Sequence, residues 1–202
     1  MAAKIVTTKS GTVIQNPPLA RLLFDDTRFS VVWLVVRVFI GLSWIDASLH
    51  KLSSPDWMVT GNALKGFWAK AVAVPDGGKA AAAYDWYRGF LQGMLDAGSY
   101  VWFAKLVAVG EFTIGLCLVL GMFVGIAALL GAFMNWNFIM AGSASTNGFM
   151  AMGAILLVAA WKTAGWYGLD RILLPRLGTP WTRTKAATES EAVGQEPVRV
   201  NA

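Results

Sequence analysis

The chain has 202 residues, of which 56% are hydrophobic and 14% charged, with a net charge of +5 and a mean hydropathy of +0.53. A soluble domain of this size cannot hide so much apolar surface, so the composition excludes an ordinary water-soluble globule and points to an integral membrane protein. The basic residues are scattered, which argues against nucleic-acid binding, and Cys117 and His50 are each the sole residue of their type, which excludes an intrachain disulfide, an Fe–S cluster, a bis-histidine heme and a Cys-rich zinc site.

Residues 1–30 are polar and broken by Pro17 and Pro18. They lack a basic-then-apolar start and a small-residue cleavage site, so they do not read as a signal peptide. The run at residues 19–24 suits the membrane surface. The first span is expected at residues 31–52, apolar apart from Arg37, Asp46, His50 and Lys51, and stopped by Pro55.

Residues 53–100 are too polar to span and too aromatic for a plain linker. Periodicity predicts amphipathic helices over residues 62–74 and 80–96, separated by the Pro75-Asp76-Gly77-Gly78 turn. Their Trp and Tyr residues favour the headgroup level, so the two helices are expected to lie flat and roof one end of a bundle. Second and third spans are expected at residues 101–120 and 122–140, joined by the uncharged turn Gly121-Met122-Phe123. Gly121 and Gly125, four apart, permit close helix approach. A turn at residues 142–148 leads to a fourth span at residues 149–166, where Lys162 can snorkel to the interface.

The expected architecture is therefore all-α: a four-transmembrane-helix bundle over residues 31–175, with two amphipathic interfacial helices between the first and second spans. Residues 176–202 read as a polar tail, disordered over 182–202. Four crossings place both termini on one side with Arg21, Arg28, Arg171, Arg176, Arg183 and Lys185. Against the lysines on the opposite side, this favours cytoplasmic termini in the cell membrane.

Ionisable groups inside apolar spans cost several kcal/mol unless paired or wet, so they are candidate working groups. Arg37 lies roughly 9 Å inside the first span and Glu111 roughly 15 Å from the same face, at about 1.5 Å per residue. An Arg37–Glu111 pair is within reach, as is a second pair, Asp46–Lys105. Such pairs can simply hold helices in register. A mid-membrane carboxylate is also what a proton relay or a quinone site requires. Asp46 and His50 share a helical face and resemble a proton-transfer couple at the mouth of such a site. Trp44, Asn135 and Trp136 are candidates for an aromatic slot with a hydrogen-bonding group. Lys51 and Lys105 are placed to attract an anion.

One set of residues resembles a known family. Arg37-x-x-x-Gly41 with Lys51, then Ala108-Val109-Gly110-Glu111-x-x-x-Gly115, Gly121, Asn147 and Gly168-Leu169-Asp170 follow the order seen in the DoxX/DoxD family of small four-helix membrane proteins. The segment carrying Pro55-Asp56-Trp57 and Gly66-Phe67 is similar to the DoxD branch. The resemblance implies a membrane subunit linked to quinone, as in thiosulfate:quinone oxidoreductase, working with a small DoxA-like chain. Two functions follow as expectations. One is a quinone-reactive subunit with Arg37, Glu111, Asp46 and His50 as working groups, possessing no metal of its own. The other is a non-catalytic accessory subunit of a larger respiratory or photosynthetic complex. A transporter is disfavoured, since no internal repeat is visible.

Overall fold

A computed structural model describes residues 5–8, 11–14 and 16–178; the expected disordered tail at 182–202 lies outside the described residues. Two short strands, β1 (Ile5–Thr8) and β2 (Gly11–Ile14), pair antiparallel with Thr8 opposite Gly11. The other elements of the described chain are helices: α1 (Pro18–Phe24), a 3-10 turn (Thr27–Phe29), α2 (Ser30–Leu52), α3 (Pro55–Met58), α4 (Asn62–Val72), α5 (Asp85–Asp96), α6 (Tyr100–Leu120), α7 (Val124–Met140), α8 (Asn147–Ala159), α9 (Trp161–Ala164) and α10 (Asp170–Arg176).

Two of these helices are long and apolar enough to cross a membrane, Thr27–Leu52 (which includes the 3-10 turn) and Tyr100–Leu120. Val124–Met140 and Asn147–Ala159 are apolar but shorter. Helices α2 and α6 form one closely packed pair and α7 and α8 another, with α2 also touching α8.

Sequence spacing explains the inward faces. On α2, Trp33, Arg37, Ile40, Gly41, Trp44 and Ser48 recur every three or four residues and are buried. The opposite stripe, Val35, Phe39, Leu42, Asp46, Leu49 and His50, is exposed. On α6 the buried stripe is Ala104, Val107, Ala108, Glu111, Ile114, Gly115 and Leu118. The α2–α6 backbones meet at Gly41 and Gly115: a Cβ on Gly115 would stand 2.7 Å from the Gly41 carbonyl, and one on Gly41 2.9 Å from the Gly115 carbonyl. Gly121 and Gly125 are close-approach positions as well: a Cβ on Gly168 would stand 2.7 Å from the Gly121 Cα, and one on Gly125 2.8 Å from the Trp161 Cβ. Gly121 is the left-handed cap of α6 (φ 66°), and Gly125 lies against Trp161.

The expected boundaries shift where local chemistry intervenes. Phe123 also adopts a left-handed conformation (φ 48°), so the helix expected as the third span begins at Val124. The helix expected as the fourth begins at Asn147 and breaks at Ala160 (ψ 13°), after which α9 makes a single turn. The second amphipathic helix begins at Asp85, because residues 80–84 run non-helically, with the Ala82 N–H donating to the Ala71 carbonyl.

The two ends of the bundle differ. At the roof end, α4 and α5 pack on each other over the start of α6, with Leu64, Trp68, Tyr87, Leu91 and Ala104 in a common apolar core. At the hairpin end, α1 packs on α9, Trp33 stacks on Phe24, and the Trp33 indole N–H donates to the Leu23 carbonyl. The run at residues 19–24 is therefore a helix tied to the bundle.

Candidate functional site

Between α6 and α7 the packing is looser, and the seam is grooved along its length. Beneath the roof it opens into a cleft of about 660 Å³. A smaller cavity of about 220 Å³, lined by Cys117, Phe123 and Ile126 among others, continues it toward the hairpin. Rings line the cleft on the roof side (Phe67, Trp68 and Phe90) and within the seam (Phe103, Phe133 and Phe138). Leu106, Val109, Leu130 and Phe133 are themselves half exposed on the outer surface, so the mouth faces sideways.

Three polar side chains line the cleft: Tyr87, Thr113 and Asn137. Thr113 is occupied with its own helix, donating to the Val109 carbonyl. Tyr87 and Asn137 sit together at the roof end. The Tyr87 hydroxyl lies 3.1 Å from both the backbone carbonyl and the side-chain oxygen of Asn137, whose amide nitrogen donates to Phe133 O at 2.8 Å. Burial pushes the Tyr87 phenol above its ordinary range, so it keeps its proton at neutral pH. The Tyr87 hydrogen is spent on Asn137, whose amide it helps to orient, so the second amide hydrogen of Asn137 is the donor that a carbonyl oxygen could meet here.

Behind the cleft wall lies a second polar region. Glu111 is 1% exposed, and its Oε2 is 2.5 Å from Lys51 Nζ. The ammonium sits between rings, 5.2 Å from the Trp57 centroid and 5.9 Å from that of Phe138, a placement favoured by the negative faces of the rings. Lys51, expected to attract an anion, is thus the partner of Glu111.

Arg37 does not pair with Glu111 as expected. Its guanidinium reaches toward the hairpin end, where Nη1 donates to the carbonyls of Leu118 (2.6 Å) and Val119 (2.8 Å) and Nη2 to Tyr167 O (2.8 Å). The reason is the end of α6, whose last carbonyls lack helical partners and carry partial negative charge. Gly121 closes α6 in a Schellman arrangement, with Met122 N bonded to Cys117 O and Gly121 N to Leu118 O. Leu169 N and Asp170 N cover the Leu120 and Gly121 carbonyls. The Asp170 carboxylate then turns back and accepts from Phe123 N (2.6 Å) and Val124 N (2.9 Å), capping α7.

The expected Asp46–Lys105 pair is not formed. Both residues are exposed, and neither makes an ion pair among the described residues. Asp46 and His50 do share a face, but it is the outer stripe of α2, away from the cleft and the buried core. Trp44 (2% exposed) and Asn135 (0%) point inward. Trp136, next along α7, is turned outward and stacks on Trp86 and Phe133, so the three do not form one slot. Sequence reasoning missed Tyr87 and Asn137 as a pair. The two residues lie 50 positions apart, Asn137 on α7 and Tyr87 on the roof helix α5.

No known protein family's profile matches this chain, and neither curated proteins nor solved structures yield a match.

Proposed function

We propose that this protein crosses the membrane four times and binds a quinone-type molecule in the α6–α7 cleft, as the membrane subunit of a quinone-linked redox complex. The cleft carries this reading. Its volume lies in the range of small-molecule sites, roughly 300–1,000 Å³. Its walls are apolar and ring-rich, and its mouth opens where an apolar molecule would arrive from the bilayer. Its hydrogen-bonding pair, Tyr87 and Asn137, lies under the roof at the expected headgroup level. A flat ring bearing carbonyl oxygens on an apolar tail matches that distribution better than a plain acyl chain, which has no use for the polar end.

The exposed faces support the reading of four crossings. Ile126, Leu129, Leu130 and Phe133 on α7, and Phe149, Met152, Ile155 and Leu156 on α8, are exposed and apolar. Faces of that kind call for lipid on both shorter helices. Helix α7 at 17 residues runs about 26 Å at 1.5 Å per residue, close to the hydrocarbon thickness of about 30 Å. The cell membrane with cytoplasmic termini is the corresponding location. Membership of the DoxX/DoxD family, oxidation of a sulfur compound such as thiosulfate, and a small DoxA-like partner belong to the same proposal and rest on the spaced residues given above.

A second reading is favoured by one observation: Arg37, Glu111 and Asp170 are all engaged in holding helices together. That arrangement suits an accessory subunit of a larger respiratory or photosynthetic complex. Purification from native membranes in mild detergent, with mass spectrometry of everything retained, separates the two. Quinone retained near one per chain is the expected result. A large cofactor-bearing assembly with no quinone assignable to this chain would support the accessory role.

A further inference from the structure

Five buried side-chain polar atoms among the described residues make no hydrogen bond to the protein; besides Ser30 Oγ and Arg37 Nε toward the hairpin end, three form a separate group in the middle of the bundle, Trp44 Nε1 and both the oxygen and nitrogen of the Asn135 carboxamide. Leaving such groups unmatched is expensive, and native interiors rarely do so. The three are not scattered. A Cβ on Gly131 would touch Trp44 Nε1 at 3.3 Å and Ile114 at 3.3 Å, which brings α2, α6 and α7 together at that level. Asn135 follows Gly131 by one turn on the same face of α7, and Glu111 precedes Ile114 by one turn on α6. Phe138, one turn beyond Asn135, carries the Lys51 ammonium over its ring.

The chemistry of the set identifies what it would hold. Trp44 offers one donor, Asn135 offers donors and an acceptor, and Glu111 offers acceptors. Water, with two donors and two acceptors, is the small molecule that satisfies all three at once, and buried waters typically make about three such bonds. We infer that Glu111, Asn135 and Trp44 enclose an internal water cluster, joined to the roof-side surface through Lys51, that carries protons into the centre of the bundle. The partly exposed Lys51 gives the cluster its outlet. Among the described residues, Lys51 is the only ionisable group paired with Glu111. Lys105 on α6, Asp46 and His50 on α2, Asp56 on α3 and Lys65 and Lys70 on α4 are exposed, while α7 and α8 carry no acidic or basic residue. This inference does not depend on what occupies the cleft.

Hydroxyl-radical footprinting of the intact chain in detergent, read by mass spectrometry, tests it. Trp33 is the internal control: it is 6% exposed against 2% for Trp44, but its indole N–H is bonded to Leu23 O. Radicals formed from internal water should modify Trp44 several-fold faster than Trp33. In Asn135→Leu the Trp44 rate should fall to the Trp33 level, and the melting temperature should drop. Equal labelling of Trp44 and Trp33 in the unaltered protein would overturn the inference. So would a gain in stability in Asn135→Leu, which is what removing a dry, unmatched amide produces. If the variant does not fold, the comparison of the two tryptophans decides alone.

Discussion

Arg37 and Asp170 hold opposite sides of the same turn. The Arg37 guanidinium bonds the last carbonyls of α6, and the Asp170 carboxylate bonds the first N–H groups of α7. Residues 133 positions apart thereby fix the turn at residues 121–123, and with it the seam that carries the cleft.

Asp170→Asn keeps the shape but leaves one N–H of the pair without an acceptor and removes negative charge near Arg37. A loss of roughly 2 kcal/mol or more is expected, read as a lower melting temperature in mild detergent. Arg37→Lys should also destabilise, because an ammonium cannot span three carbonyls as the planar fork does.

Lys51→Met leaves Glu111 buried and unpaired, at an expected cost of about 3–5 kcal/mol. The double change Lys51→Met with Glu111→Gln should cost less than the sum of the single changes. Lys105→Met, on the exposed side of α6, should stay within about 0.5 kcal/mol of the unaltered chain. Denaturation midpoints of the four variants measure this cycle.

Gly115→Ala and Gly41→Ala each push a methyl group into the partner backbone, and each should destabilise by about 1–3 kcal/mol. Gly66→Ala on α4 meets nothing within 4 Å and should stabilise by about 0.5–1 kcal/mol through helix propensity. Melting curves of the three variants distinguish a packing role from propensity alone.

Asp25 is held below its ordinary pKa, chiefly by the hydrogen bond from Lys162 at 2.8 Å. A depressed carboxylate stabilises the fold above its unfolded pKa, and that contribution disappears as pH falls through the folded value. The pair is partly exposed, so the effect should be within about 1 kcal/mol. Lys162→Met should flatten the acid dependence of stability below about pH 4 while changing little under more acidic conditions.

Much of the helical layout was legible because periodicity and breakers act locally. Pro55, the Pro75-Asp76-Gly77-Gly78 turn and Gly121 fall at or near the element limits they signal. The charge pairs were not legible, because depth counting treats a buried charge as seeking the opposite charge at its own level. Arg37 instead took free carbonyls at a helix end. Register also intervened: Gly41 meets Gly115, so Arg37, one turn back along α2, comes level with the end of α6 rather than with Glu111. Lys51, expected to attract an anion at the end of the first span, folds inward to reach Glu111. The Tyr87–Asn137 pair depends on how α5 seats over α7, which no local pattern encodes.

The most direct test of the central claim is photolabelling of the purified protein with a light-activated quinone analogue, followed by peptide mapping. Labels should concentrate on the facing stretches of α6 and α7, around Phe103–Ile114 and Leu130–Phe138, and should fall sharply when unlabelled quinone competes or when Leu130→Trp narrows the cleft. Labelling spread evenly over the outer stripe of α2 and the exposed faces of α8, unaffected by competitor or by Leu130→Trp, would contradict a quinone site in the cleft.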